Sequence, residues 1–134
     1  MTDLESAREF FKGDRYAVEA TGIEICEVGE KYAKCSLKIE SRHRNAVGGV
    51  MGGVPFTLAD FVFAVATNFK SDTVTVTAVS HICYLGTAKG DTLYGESRLI
   101  KDGRTACHYE ISITDNLGNA VATVTTTGMH LTKK

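Results

Sequence analysis

The centre of the chain reads VPFTLADFVFAVATN from Val54 to Asn68, and this stretch decides the fold. It is the only strongly helical apolar run in the sequence, and apolar residues cover nearly every side of the helix that it predicts. A helix of that kind must be enclosed by other elements. Pro55 favours the first helical turn, because proline lacks an N–H that would have no partner there. The helix is therefore predicted to begin at Gly53 or Val54.

The sequence on either side of this helix is patterned as strands and turns. Residues 33–39 alternate between apolar and polar side chains, which is typical of a half-buried strand. Thr2 and Glu5 form a capping box that predicts a short N-terminal helix. Further strands are predicted after the central helix over 73–85, 92–101, 105–114 and 120–131. An α+β fold follows, with a curved antiparallel sheet of roughly five to six strands wrapped around the central helix.

Composition indicates a single globular domain over residues 1–134, since 43% of the residues are hydrophobic and 23% are charged. Lys and Arg number 15 against 16 Asp and Glu, so no basic excess is present to bind a nucleic acid. No apolar stretch approaches the ~20 residues that a membrane span needs. The acidic N-terminus lacks the apolar run of a signal peptide, and the cysteines are widely spaced. We therefore expect a cytoplasmic protein with neither nucleic-acid nor membrane partners.

Several kinds of site have no signature in the sequence. The four histidines show no metal-ligand spacing, and no C-x-x-C pair occurs, so neither a metal nor another cofactor is expected. A serine nucleophile elbow would need G-x-S-x-G, and a phosphate-binding loop would need a Walker A or G-x-G-x-x-G pattern. None of these patterns is present.

Asp60 is the only ionisable residue between Ala46 and Phe69. Burying a carboxylate within a helix costs free energy unless the group is paired, hydrogen-bonded or used in chemistry. No Lys or Arg lies three or four residues away on the predicted helix. Asp60 is therefore either a structural residue that bonds to neighbouring backbone or a functional carboxylate, and the spacing leaves both open.

Gly52 and Gly53 stand directly before the helix. Glycine allows another group to approach the backbone closely, and free N–H groups at a helix N-terminus favour an anion or an oxyanion. The alternative is a glycine loop that makes a tight turn into the helix. Combined with Asp60, these N–H groups would suit attack on an acyl carbonyl by water or by the carboxylate itself.

Residues 44–60 read RNAVGGVMGGVPFTLAD. This segment resembles the signature of hotdog-fold acyl-CoA thioesterases of the phenylacetic-acid-degradation (PaaI-like) type. That signature has Asn, five residues, His-Gly-Gly and then a helix containing Leu-Ala-Asp. The order of elements is similar to the family over nearly the whole chain. The resemblance implies a hotdog fold, hydrolysis of an acyl-CoA, and a homodimer or a dimer of dimers.

The resemblance also implies roles for individual residues. Asp60 corresponds to the catalytic carboxylate, which acts as general base or nucleophile. The N–H of Gly52 corresponds to the donor that polarises the thioester carbonyl. Asn45 corresponds to an asparagine that organises the site. Thr77 falls where a Ser or Thr positions the attacking water, although an ordinary strand threonine remains an equal interpretation.

Met51 departs from the family pattern, which usually has histidine before the two glycines. Methionine keeps the bulk but loses the polar ring that supports the substrate end of the site in the family. The donor of Gly52 is a backbone N–H and survives the change, so the expected reaction type stays the same. Substrate contacts are expected from Met51, Gly53 and Thr77.

The spacing of the motif further predicts a site shared by two chains. Eight residues of mostly helical chain separate Gly52 from Asp60, or about 12 Å along the axis. Reacting atoms must approach to roughly 3–3.5 Å, so Asp60 of one chain would face Gly52 of another.

Two other functions remain open at this stage. One is a hotdog domain that binds acyl-CoA or another apolar ligand without turnover. The other is a hotdog dehydratase, for which His43 is the only candidate histidine nearby.

Overall fold

The computed structural model describes residues 1–131, so residues 132–134 of the expected domain lie outside the described residues. The N-terminal helix α1 spans Asp3–Phe11, and a single π-helical turn follows over Tyr16–Thr21. Strands β1 (Ile23–Gly29) and β2 (Tyr32–Lys38) precede a 3-10 turn, Ser41–His43. The central helix α2 spans Gly53–Asn68. The remaining strands are β3 (Val74–Tyr84), β4 (Thr92–Asp102), β5 (Ala106–Asp115) and β6 (Ala120–Leu131).

The strands form one six-stranded antiparallel sheet in the order β1-β2-β4-β5-β6-β3. The predicted α+β class with one central helix is confirmed. Strands β4, β5 and β6 pair in chain order. The sequence did not indicate that β3 crosses to the far edge of the sheet, where it pairs with β6 rather than with β4.

Helix α2 packs its apolar side against the sheet. Leu58 and Val62 are fully buried, and burial of such side chains contributes roughly 1.5–3 kcal/mol each. Helix and sheet are in close contact at Gly95 on β4, where a Cβ atom would lie only 3.0 Å from Val62. Phe63 meets Tyr109 of β5 edge to face, with 5.5 Å between the ring centroids. The core therefore lies between α2 and the concave face of the sheet.

The expectation that α2 is enclosed on every side is wrong for the single chain. Thr57 and Ala64 are only half-buried, and Asp60 is exposed. These residues share one side of the helix, since they follow each other at intervals of three and four positions. The sheet covers the opposite side, while this one is covered only in part by the Tyr16–Thr21 turn. Asp60 therefore lies on an open stripe rather than within the core.

Candidate active site

Asn45 shapes the loop that leads into α2. Its side-chain oxygen accepts the backbone N–H groups of Val47 (3.1 Å) and Gly49 (3.0 Å). Its own N–H donates to the carbonyl of Gly49 at 2.7 Å. Gly48 adopts φ 89°, a left-handed conformation that glycine tolerates better than other residues. One amide side chain thus fixes the backbone directly before the two glycines of the motif.

Gly52 and Gly53 present two backbone donors at the N-terminus of α2. Gly52 has helical dihedral angles (φ −57°, ψ −29°), and the helix begins at Gly53, as Pro55 predicted. Neither N–H has a hydrogen-bond partner within residues 1–131. Unpaired N–H groups at a helix N-terminus carry a partial positive charge that favours an oxygen anion.

Met51 is exposed and lies beside these donors. It lines a cavity of about 220 Å³ together with Tyr16, His43, Gly53 and Thr57, among others. His43 is buried, and its Nδ1 accepts the N–H of Glu40 at 2.9 Å. Its Nε2 lies 2.7 Å from the carbonyl of Thr21. Because both ring nitrogens are bonded to backbone, His43 has no free nitrogen for dehydratase chemistry.

Asp60 lines a second cavity, of about 320 Å³, between α2 and the Tyr16–Thr21 turn. The hydroxyl of Thr77 on β3 donates to Asp60 Oδ1 at 3.5 Å. Desolvation of the carboxyl against the cavity wall raises the pKa of Asp60, while the Thr77 hydroxyl lowers this pKa and the charge of Asp14 raises it. A carboxylate with a raised pKa is a stronger base than an ordinary aspartate.

The structure brings together some of the predicted site residues and separates others. Asp60 and Thr77 are in contact, whereas Met51 and Gly53 lie in the neighbouring cavity. The two cavities share Tyr16 and Thr57 as lining residues, which makes them consecutive parts of one groove along the open side of α2.

Tyr84 is a site residue that sequence reasoning missed. Its hydroxyl donates to the carbonyl of Gly52 at 2.6 Å. Counting along the sequence places Tyr84 and Thr77 on opposite faces of β3, since they are seven positions apart. A bulge between Thr77 and Val79 inserts one extra residue, so that both side chains project from the same face. The bulge itself has no signal in the sequence.

One group within residues 1–131 has metal-ligating atoms close together. Asp102, Cys107 and His130 place one such atom each within 4.8 Å of the others. Asp102 is already paired with Lys31 (2.9 Å) and with His130 (2.8 Å), and the Lys31 ammonium is the main cause of the lowered pKa of Asp102. The group lines a cavity at the C-terminal end of α2, away from Asp60. Asp102 and His130 therefore belong to a polar network with Lys31.

Similarity to known proteins identifies the class of enzyme. The profile of the Thioesterase superfamily matches residues 47–128. A putative esterase of Archaeoglobus fulgidus is 27% identical over 120 residues, which cover 89% of this chain and 77% of the relative. The acyl-coenzyme A thioesterase PaaI of Escherichia coli is 27% identical over 122 residues, which cover 88% of this chain and 84% of PaaI.

Solved structures show the same fold. The structure of E. coli PaaI superimposes with a TM-score of 0.86 over 96% of this chain and 94% of that one, at 22% identity. A Streptococcus mutans protein bound to acetyl coenzyme A gives a TM-score of 0.76 over 84% of this chain and 90% of that one, at 27% identity. The chain belongs to the thioesterase superfamily, and the predicted hotdog fold of the PaaI-like type is confirmed.

Among residues 1–131, no helix combines the length and the apolar character that crossing a membrane requires.

Proposed function

We propose that this thioesterase hydrolyses an acyl-coenzyme A to a free acid and coenzyme A. The observation that carries the proposal is the Asp60 carboxylate, held beside the Thr77 hydroxyl in the groove along the open side of α2. Coenzyme A as the thiol is supported by PaaI, named as an acyl-CoA thioesterase, and by the S. mutans protein with bound acetyl coenzyme A. Release of free thiol from a panel of acyl-CoAs tests the proposal.

In the proposed reaction Asp60 acts as general base. It takes a proton from a water molecule held by Thr77, and the water oxygen forms a bond to the thioester carbonyl carbon. The negative charge that develops on the carbonyl oxygen is stabilised by the N–H of Gly52. The C–S bond then breaks, and the leaving sulfur receives the proton from Asp60. Direct attack by Asp60 would instead form a mixed anhydride, which water hydrolyses to the same products.

We further propose that two chains share each active site. Strand β3 is an edge of the sheet, and Val74, Val76 and Val79 on it are exposed apolar residues. An unpaired edge strand of this kind favours pairing with a second chain. Antiparallel pairing of two β3 strands across a twofold axis would cover the open side of α2 and bring Asp60 towards the Gly52 of the partner chain. A dimer of dimers is compatible with this arrangement.

A cytoplasmic location is part of the same proposal. It is supported by four cysteines that are free thiols on strands β1, β2, β3 and β5, since thiols persist in a reducing compartment.

One observation favours a second candidate function, which is binding of an acyl-CoA without turnover. Met51 stands where the family has histidine, and its thioether can neither donate a hydrogen bond nor carry charge. The retained Asp60–Thr77 pair favours hydrolysis instead. The thiol-release panel separates the two functions, because a binding domain releases no thiol.

The exchange Met51→His is expected to raise kcat on at least one aryl or medium-chain thioester. Met51 is 53% exposed, so the fold should tolerate the change without loss of thermal stability. An imidazole beside Gly52 would restore a polar group next to the oxyanion donor. Steady-state kinetics on the panel measure the effect. Loss of activity on every thioester, with the wild type active, would show that the pocket is built around methionine.

A further inference from the structure

Tyr84 contacts Gly52 in two ways. Its hydroxyl donates a 2.6 Å hydrogen bond to the Gly52 carbonyl. Its ring also lies against the glycine: a Cβ atom on Gly52 would come within 2.9 Å of the Tyr84 oxygen and 3.1 Å of Cζ. The absence of a side chain at Gly52 is therefore a condition for this hydrogen bond.

The hydrogen bond fixes the orientation of one donor. The carbonyl of Gly52 and the N–H of Gly53 belong to the same planar trans peptide, in which they point in opposite directions. Anchoring the carbonyl therefore sets the direction of the Gly53 N–H. A peptide that accepts a hydrogen bond is also polarised by it, which strengthens its own N–H as a donor. Between two glycines this peptide would otherwise rotate with little steric resistance.

The neighbouring peptides are anchored by other groups. The Met51 carbonyl, which shares a peptide with the Gly52 N–H, accepts the N–H of Val54 at 2.9 Å. The carbonyl of Gly53 accepts the hydroxyl of Thr57 at 2.8 Å. Both of these bonds are local to α2. Within residues 1–131, the Tyr84 hydrogen bond is the only one that reaches this turn from the sheet, and Tyr84 lies on the strand that also carries Thr77.

We propose that Tyr84 is a positioning residue, which orients the Gly53 N–H so that it acts beside the Gly52 N–H as a second donor to the thioester carbonyl oxygen. This inference rests on the proposed hydrolysis of a thioester. In the proposed dimer each β3 strand then serves two sites: Thr77 contacts the carboxylate of one site, and Tyr84 contacts the donor turn of the other.

The variant Tyr84→Phe tests the inference, since it removes only the hydroxyl and keeps the ring over Gly52. We expect kcat on the best acyl-CoA of the panel to fall by about tenfold or more. The loss should stay smaller than the ~100–1,000-fold loss that is typical of deleting an oxyanion donor outright. KM should change less than about twofold, because a donor that strengthens in the transition state affects mainly kcat. The matched control is Tyr94→Phe. Tyr94 lies on β4, and its hydroxyl has no hydrogen-bond partner among residues 1–131. It should retain wild-type kcat.

An S-alkyl coenzyme A thioether distinguishes donor orientation from pocket shape, because it lacks the carbonyl. Its Kd should be the same for Tyr84→Phe and the wild type. A Kd that rises as much as kcat falls would assign Tyr84 to the pocket wall and overturn the inference. A wild-type kcat in Tyr84→Phe would also overturn the inference, but it would not contradict the proposed hydrolysis. Absence of thiol release by the wild type would remove the proposed function and this inference together.

A double-mutant cycle with Gly52→Ala provides an independent check. The added methyl group would displace the Tyr84 hydroxyl, so both single variants break the same contact. The kcat of the double variant should therefore be no lower than the kcat of the less active single variant. Losses that multiply would show that the two residues act independently, which contradicts the inference.

Discussion

Replacement of Asp60 by asparagine is expected to lower kcat by about 100-fold or more, which is the usual effect of removing a general base. Asparagine is nearly isosteric with aspartate but can act neither as base nor as nucleophile. The chain should stay folded, because Asp60 lies on the open stripe of α2 and forms one long hydrogen bond, to Thr77. Steady-state kinetics and a thermal unfolding midpoint measure the two effects. A near-wild-type kcat would exclude Asp60 as the catalytic group.

The pKa of Asp60 determines how this variant behaves with pH. Since the folded-state pKa is raised, chiefly by desolvation, ionisation is less favourable in the folded chain than in the unfolded one. The Asp60 carboxyl therefore lowers the free energy of unfolding. This loss of stability is absent at low pH and develops as the pH rises from the ordinary pKa of aspartate through the raised one. At neutral pH the unfolding midpoint of Asp60→Asn should therefore equal or exceed that of the wild type.

The matched control for this variant is Asp14→Asn. Asp14 is another carboxylate lining the same cavity, and its charge contributes to the raised pKa of Asp60. Its removal should leave the maximal kcat unchanged and shift the acidic limb of the pH–rate profile to lower pH. A loss of kcat in Asp14→Asn as large as that in Asp60→Asn would mean that the cavity needs both negative charges.

Joint refolding of Asp60→Ala and Asn45→Ala is expected to restore about a quarter of wild-type activity from two inactive proteins. With shared sites, Asp60 comes from one chain and the Asn45 loop from the other. Random pairing makes half of the dimers mixed, and each mixed dimer regains one of its two sites. The edge position of β3 and the exposure of Asp60 in the single chain are the structural basis for this expectation.

The matching control refolds each variant alone, which should give no activity. Native mass spectrometry of a preparation with one tagged variant establishes that mixed dimers form. Confirmed mixed dimers without recovered activity would show that each chain builds its site alone, and the shared-site proposal would then be wrong.

The sequence predicted those parts of the fold that depend on local patterns. Helix α2 was predicted from Pro55 and its apolar run, and the capping of α1 by Thr2 is present as a hydrogen bond to Glu5. The position of β3 was not predicted, because pairing with β6 rather than β4 depends on long-range packing that no short pattern encodes. The openness of α2 at Asp60 was missed for a related reason, since apolar residues on a helix surface can be covered by a second chain as well as by their own.

In the candidate site, too, the residues of a local motif could be predicted, whereas a residue that depends on strand geometry could not. Asn45, Gly52 and Asp60 lie in one continuous motif, so their spacing could be recognised along the sequence. Tyr84 reaches Gly52 only because a bulge after Thr77 reverses the alternation of β3. A single inserted residue in a strand changes which side chains share a face, and a sequence count that assumes regular alternation assigns Tyr84 to the wrong face.

The most direct test of the central claim is continuous measurement of free thiol released by the wild-type protein from aryl and from short- to long-chain aliphatic acyl-CoAs. Hydrolysis through Asp60 predicts repeated turnover on at least one of these thioesters, with release lowered by about 100-fold or more in Asp60→Asn. Binding of acyl-CoA without thiol release from any member of the panel would contradict hydrolysis and establish the chain as a binding domain.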